Sequence, residues 1–121
     1  MRNSSPQAKL AAKVAARQAE ASAHLFAALG DEVRLALIAK LCSGRLHSIS
    51  QLTQGSKLTR QAITKHLRVL ERVGMVRCIR AGRESRFEFD PRPIAGMKEY
   101  LDFVSEEWDQ ALSRLKSFVE D

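Results

Sequence analysis

The sequence has 121 residues, of which 45% are hydrophobic and 28% charged, with a formal net charge of +6 at pH 7. This composition excludes an intrinsically disordered chain, and no apolar run approaches the roughly 20 residues that a membrane-spanning helix needs. Residues 57–92 hold ten Lys or Arg and four acidic residues, whereas residues 99–121 hold two basic and seven acidic residues. We therefore expect residues 1–121 to form one domain with a surface that binds a polyanion, although charge alone does not distinguish DNA from RNA or an anionic membrane.

Two helices are predicted in the first third of the chain. The first spans about residues 6–29, because Pro6 suits a helix start and apolar residues recur at helical spacing up to Gly30. Asp31 is a suitable N-cap for the second helix. The residues of that second helix that should face the core are Val33, Leu37, Ile38 and Leu41.

Residues 48–73 have the pattern of a helix-turn-helix. A short third helix capped by Ser48 is followed by a fourth helix with Thr59 as its N-cap and Gly74 as its terminator. The apolar stripe of the fourth helix must be buried and consists of Ile63, Leu67, Leu70 and Val73. Its opposite face, with the single acid Glu71 at the edge, consists of Gln61, Thr64, Lys65, Arg68 and Arg72. A basic outer face on the second of two closely joined helices is typical of a recognition helix for DNA.

After Gly74 the apolar period changes from 3.6 to 2, which predicts a β-hairpin wing over residues 75–90. Val76 and Cys78 should share one side of the first strand, and Phe87 and Phe89 one side of the second. The loop between the strands is AGRES, and the arginines at or near its tip are Arg80, Arg83 and Arg86. An exposed polar turn would explain these arginines too, but the same charge recurs in the adjacent helix, which favours nucleic-acid binding.

The last helix, about residues 93–120, has apolar residues at alternating spacings of three and four, as in a coiled-coil seam. Packing on its own domain is the alternative, but a small domain has little surface to cover a helix about 40 Å long. We therefore predict a homodimer built on this helix and helped by the first one. The expected interface residues are Leu10, Val14, Met97, Leu101, Val104, Trp108, Leu115 and Phe118.

The predicted DNA contacts fall into two groups. Base contacts are expected from the first two turns of the recognition helix, where Gln61 can pair with adenine and Arg60 or Lys65 with guanine. The full set for this role is Arg60, Gln61, Thr64 and Lys65. Phosphate contacts are expected from the remaining candidates, and the wing tip is also a minor-groove candidate. These phosphate-binding candidates are Thr59, Arg68, Arg80, Arg83 and Arg86.

Three further residues have more than one interpretation. His66 lies towards the buried side of the recognition helix, so a packed histidine and a base-reading one both stay open. Cys42 and Cys78 are far apart and form no CxxC pair, which fits reduced thiols and a cytoplasmic protein. We expect both cysteines to be packed as small apolar residues, with a thiol-responsive regulator as the alternative.

Three segments resemble the ArsR-type winged helix-turn-helix repressors: LFAALGDEVRLALIAKLCSG, ISQLTQGSKLTRQAITKHLRVLERVGMVR and AGRESRFEFD. The resemblance runs from about Leu25 to Asp90. It implies a fold that is mainly α with a β-hairpin wing (α+β), flanked by long N- and C-terminal dimerisation helices. It also implies a bacterial, nucleoid-associated homodimer that represses transcription from an operator overlapping a promoter, often that of its own gene, and that an inducer releases.

The sequence departs from this family where many members bind a metal. The helix before the recognition helix reads HSISQLTQ, without the family's CVC-like segment, and the last helix has no histidine. Since zinc and soft metals need converging Cys or His donors, we expect no metal and no cofactor, and the inducer is not indicated. A non-specific architectural DNA-binding protein is the alternative function. We expect no enzyme, because the sequence has no catalytic motif.

Overall fold

The computed structural model describes residues 5–120, so the ends of the predicted domain, residues 1–4 and 121, lie outside the described residues. The elements follow in the order α1 (Pro6–Leu29), α2 (Glu32–Leu41), β1 (His47–Ser48), α3 (Ile49–Thr53), α4 (Arg60–Arg72), β2 (Val76–Ala81), β3 (Glu84–Phe89) and α5 (Arg92–Glu120). The chain divides into two compact units. One comprises residues 23–94, and the other comprises α1 up to Ser22 together with the chain from Ala95.

The predicted N-caps of α2 and α3 are confirmed. Asp31 Oδ1 accepts hydrogen bonds from the backbone N of Val33 (2.9 Å) and of Arg34 (3.1 Å). Ser48 and Gln51 form a reciprocal capping box, in which each side chain accepts a hydrogen bond from the other's backbone N. These bonds satisfy amide groups that have no partner within the helix, which is why α2 and α3 begin where they do.

The wing is a β-hairpin with a two-residue turn. Its strands are longer than predicted, because part of the AGRES segment, which was expected to be a loop, belongs to the strands. β2 and β3 pair antiparallel from Val76↔Phe89 to Ala81↔Glu84, which leaves Gly82 and Arg83 as the turn. Gly82 has φ of +65°, a left-handed value that glycine adopts without a Cβ clash. The short strand β1 pairs with the other edge of β3, giving the order β1-β3-β2. The sequence did not predict β1.

The core of the 23–94 unit lies between α2, α3, α4 and the sheet. Its fully buried side chains are Leu41, Leu52, Ile63, Leu67, Leu70, Met75 and Val76. Phe87 is also buried, as its alternation with Phe89 predicted. Leu41, Ile63, Leu67 and Leu70 were predicted to face the core from the helical period. Met75, by contrast, was not predicted to be buried, because it precedes the alternating residues of the first strand.

The expected packing of both cysteines is wrong, because Cys42 and Cys78 are exposed. Cys78 lies opposite Phe87 on the same face of the sheet, but β2 is an outer strand and its core contacts end at Val76. Cys42 is the C-cap of α2 and begins the exposed turn that leads to Gly44. Cys78 is exposed because β2 lies at the edge of the sheet, and the alternation of apolar residues in the sequence does not show which strand lies at an edge.

In the second unit, the first part of α1 and the chain from Ala95 lie against each other. Gln18 Nε2 donates a hydrogen bond of 3.1 Å to Glu99 Oε2, and Ser22 and Met97 are buried. Met97 was predicted to face a second copy but is already covered within one chain. Other predicted interface residues are largely exposed: Leu10, Val14, Leu101, Trp108, Leu115 and Phe118. Val104 is half-buried.

Candidate nucleic-acid interface

Helix α4 is fixed at both ends as its sequence predicted. Thr59 Oγ1 accepts a hydrogen bond of 3.1 Å from the backbone N of Ala62. Gly74 follows the helix with φ of +83°. The inward face consists of the buried residues Ile63, Leu67 and Leu70. With one side held in the core, the opposite side of α4 faces solvent.

The solvent face of α4 is basic and its side chains are unpaired. Arg60, Gln61, Lys65 and Arg68 are exposed. Within residues 5–120, none of these four side chains forms a hydrogen bond or an ion pair. Thr64 differs, since it is half-buried and its Oγ1 donates to the backbone O of Arg60 at 2.7 Å. The hydrogen-bonding groups of the other four are therefore available to an external partner.

The wing separates its three predicted arginines. Arg83 occupies the turn, while Arg80 lies opposite Ser85 and Arg86 lies opposite Ile79, so alternation puts Arg80 and Arg86 on different faces. Arg86 is also engaged, because its Nε and Nη2 donate to Glu84 Oε2 at 3.3 and 3.2 Å. Arg80 and Arg83 are the wing arginines that keep their charge unpaired within residues 5–120.

Arg60 of α4 and Arg83 of the wing line one groove, of about 360 Å³. The remaining lining residues are Ser48, Ile49, Ser50, Glu84 and Ser85. Two arginines from separate elements thus line the same groove, next to Glu84, whose carboxylate forms an ion pair with Arg86. Such a pair of cations suits a phosphate group of a nucleic-acid backbone.

His66 lies against the start of α2, away from the exposed basic face. Its Nδ1 is 3.2 Å from Arg34 Nη1 and 3.8 Å from Asp31 Oδ1. The backbone N–H of Arg34 is the main cause that lowers the pKa of the Asp31 carboxyl, with the Arg34 charge and the backbone N–H of Val33 acting in the same direction. This placement favours the packed interpretation of His66. Sequence reasoning missed Arg34, whose partner is 32 residues away.

Asp90 and Arg92 form a second charged pair that sequence reasoning missed, at the start of α5. Arg92 Nη2 donates to Asp90 Oδ2 at 2.6 Å, and the backbone N of Arg92 donates to Oδ1 at 3.0 Å. These hydrogen bonds from Arg92, the side-chain bonds foremost, lower the pKa of Asp90 to about 2. The pair joins the end of the wing to α5.

Two other features of the described chain bear on function. Residues 5–120 contain no group of three or more His, Cys, Asp or Glu side chains placed to hold a metal ion. Over the same residues, no helix combines the length and apolar character needed to cross a membrane.

The fold is shared with known regulators. A family model described as a helix-turn-helix domain matches residues 29–79. The solved ArsR-like transcriptional regulator from Rhodococcus sp. RHA1 is 33% identical, with a TM-score of 0.68, and the match covers 82% of this chain and 92% of that chain. The HTH-type transcriptional regulator YuzN of Bacillus subtilis is 33% identical over 79 residues, 60% of this chain and 86% of that protein.

A third relative shares the fold at lower identity. It is a homodimeric winged helix-turn-helix DNA-binding domain from Mycobacterium bovis, described as a possible ArsR-family regulator. It is 18% identical, with a TM-score of 0.60, and the match covers 88% of this chain and 92% of that chain. From the matches at 33% identity, this chain belongs to the ArsR-like family of winged helix-turn-helix transcriptional regulators.

Proposed function

We propose that this regulator is a homodimeric, sequence-specific repressor that binds a palindromic operator overlapping a promoter, with the promoter of its own gene as the first candidate. The observation that carries the proposal is the solvent face of α4. Arg60, Gln61, Lys65 and Arg68 are exposed and unpaired among residues 5–120, on a helix whose other face is held in the core. A rigid helix with free donors on one side is what major-groove reading requires.

The side chains of α4 divide between base and phosphate contacts. Gln61 offers the paired donor and acceptor that match adenine, and Lys65 or Arg60 offers donors that match guanine O6 and N7. Arg68, farther along the helix, and Thr59, at its start, are suited to phosphate. The groove that Arg60 shares with Arg83 gives Arg60 a second possible partner, a phosphate, which makes Lys65 the better candidate for guanine.

The proposed dimer rests on the apolar side chains that one chain leaves uncovered. Leu101, Trp108 and Leu115 are each at least half exposed on α5, and Leu10 and Val14 are exposed on α1. Exposed apolar rows of this length are typical of surfaces that associate. The homodimeric Mycobacterium bovis domain supports the same assembly for this fold. Two copies related by a two-fold axis would present two α4 helices to a palindrome.

The test is binding of the purified protein to the duplex upstream of its own gene and to a scrambled duplex, across a salt series, followed by footprinting. A palindromic footprint bound about a thousandfold more tightly than the scrambled duplex supports a specific dimeric repressor. Equal binding to both duplexes, with affinity set by salt alone, would instead support the architectural alternative. Reporter transcription that rises when the gene is deleted distinguishes a repressor from an activator.

A further inference from the structure

One arginine joins three elements of the 23–94 unit. Arg34 Nε donates a hydrogen bond to the backbone O of Ala28, in the last turn of α1. Its Nη1 is 3.2 Å from His66 Nδ1 on α4 and 4.0 Å from Asp31 Oδ2, the N-cap of α2. The side chains of Arg34 and His66 are 17% and 23% exposed. The end of α1, the start of α2 and the recognition helix therefore meet at a single guanidinium group.

The chemistry of this contact determines the state of His66. A guanidinium group has donors and no acceptor, so Nδ1 of His66 must accept the hydrogen bond. The imidazole is then neutral and carries its proton on Nε2. Within residues 5–120, the charged side chains that reach the ring are Arg34 and Asp31.

Protonation of His66 would reverse these preferences. Nδ1 would become a donor, so its bond with Arg34 would be lost and two cations would stand 3.2 Å apart. Asp31 Oδ1, 3.8 Å from Nδ1, would become the attractive partner. That oxygen already accepts from the backbone N of Val33 and of Arg34, so the protonated ring would compete for the cap of α2.

The position of His66 links this contact to DNA reading. His66 directly follows Lys65 and lies five residues after Gln61, in the part of α4 proposed to enter the major groove. The buried Ile63, Leu67 and Leu70 hold the helix against the core, but apolar contacts are not directional. A hydrogen bond is directional, and it restrains rotation of α4 about its own axis.

We propose that Arg34 is a positioning residue which, through its hydrogen bond to neutral His66, fixes the rotation of α4 relative to the end of α1 and the start of α2. The proposal rests on the proposed base-reading role of α4. Loss of the bond, by substitution or by protonation of His66, reduces discrimination between operator and random DNA. Attraction to phosphate is left largely unchanged.

The DNA test compares the affinities for operator and scrambled duplexes at about pH 8 and at about pH 5.5. For wild type, the operator-to-scramble affinity ratio should fall about tenfold on acidification, the size expected for one lost hydrogen bond. Arg34→Met should show the reduced ratio, by about tenfold, at both pH values. His66→Asn, which keeps an acceptor near the Nδ1 position and does not titrate, should keep the ratio and lose its pH dependence.

The controls separate positioning from charge and folding. Lys40→Met removes a cation from the same helix, and His24→Asn removes an exposed histidine, so both should behave as wild type. Arg34→Lys keeps the charge but cannot form both bonds, and it should resemble Arg34→Met. Far-ultraviolet circular dichroism and thermal unfolding establish that each variant is folded before its affinity is compared.

A measurement on the free protein tests the contact without DNA. Nitrogen NMR of the His66 imidazole at about pH 8 should show the neutral tautomer with its proton on Nε2. A proton on Nδ1 would overturn the proposal, as would an unchanged operator-to-scramble ratio in Arg34→Met. If wild type did not discriminate between the duplexes, both the proposed function and the positioning role of Arg34 in DNA reading would be contradicted. The tautomer of His66 would still show whether its hydrogen bond to Arg34 forms.

Discussion

Helices α4 and α5 are both amphipathic, with apolar residues three and four apart, but their apolar faces differ in burial. On α4, Ile63, Leu67 and Leu70 are at most 1% exposed. On α5, by contrast, Leu101, Trp108 and Phe118 are 50%, 65% and 82% exposed. The same period in the sequence therefore leads to one helix that is part of the core and another that offers its apolar side to solvent.

The difference shows which face of each helix is available for function. On α4 the polar face is free, and it carries exposed basic side chains without partners among residues 5–120. On α5 the apolar face is free, and burial of each large apolar side chain there would contribute about 1.5–3 kcal/mol. This difference supports the proposed roles, in which α4 contacts DNA through its polar face and α5 associates with a second copy through its apolar face.

The largest expected effect is on the core face of α4. Leu67→Ala leaves a cavity at a fully buried position and should lower the free energy of unfolding by about 2–5 kcal/mol in urea denaturation. The matched control is Leu35→Ala on α2, where the side chain is exposed, and its effect should be within about 0.5 kcal/mol. Equal losses for the two variants would mean that α4 is not held as described.

The next effect is on the free face of α5. Leu115→Asp places a charge in the exposed apolar row and should weaken self-association by about 2 kcal/mol or more, roughly thirtyfold, in sedimentation equilibrium. Ser113→Asp adds the same charge on the other side of the helix and should leave association unchanged. If Leu115→Asp associated as tightly as wild type, this row could not be the dimer interface.

A smaller effect is expected on the polar face of α4. Gln61→Ala should cost about 1–3 kcal/mol on the operator and relax the preference at one base position, while binding to scrambled DNA stays unchanged. Gln110→Ala, on α5, is the control and should bind as wild type. The base-reading role of Gln61 would be contradicted if the variant lost affinity equally on both duplexes.

Loss of the positive charge at the wing tip should weaken DNA binding to the same extent for every DNA sequence. Arg83→Ala should weaken operator and scrambled DNA alike and reduce the slope of log affinity against log salt by about 1. Arg114→Ala removes the same charge from the acidic C-terminal helix and should keep the slope of wild type. A selective loss of operator binding by Arg83→Ala would point instead to minor-groove reading by the wing.

The smallest effect concerns the start of α5. Arg92 lowers the pKa of Asp90 from 3.8 to about 2. The pair therefore stabilises the fold at pH values above the pKa that Asp90 has in the unfolded chain, and this stabilisation is lost as the pH falls towards 2. Arg92→Met should therefore be less stable than wild type at neutral pH, with the two converging in acid denaturation below about pH 3. A constant difference across that range would show that Asp90 is not the titrating group.

Much of the fold could be predicted because its signals are local. Thr59, Asp31 and Ser48 are caps recognised within four residues, and the core face of α4 follows from the helical period. β1 could not be predicted, because its two residues form a strand only through pairing with β3. Likewise, alternation gives the face of Cys78 but not its place on an outer strand.

The candidate site was predictable to a similar degree. The basic face of α4 was predicted from angular positions on one helix, and the structure has Gln61, Lys65, Arg68 and Arg72 exposed there, while Thr64 is half-buried. The Arg34–His66 contact depends on how α2 packs on α4, and the sharing of a groove by Arg60 and Arg83 depends on where the wing lies. Neither arrangement has a signature in a single segment of sequence.

The exposed apolar rows of α5 also bear on the amount of regulator that a cell maintains. In the proposed dimer, each copy acts as a ligand for the other, so the midpoint of thermal unfolding rises with protein concentration. Dilute chains leave Trp108 and Phe118 in water and spend more time in states that proteases and chaperones recognise. A shortage of the protein would thereby shorten the lifetime of the copies that are present, and abundance would become part of the control of its genes.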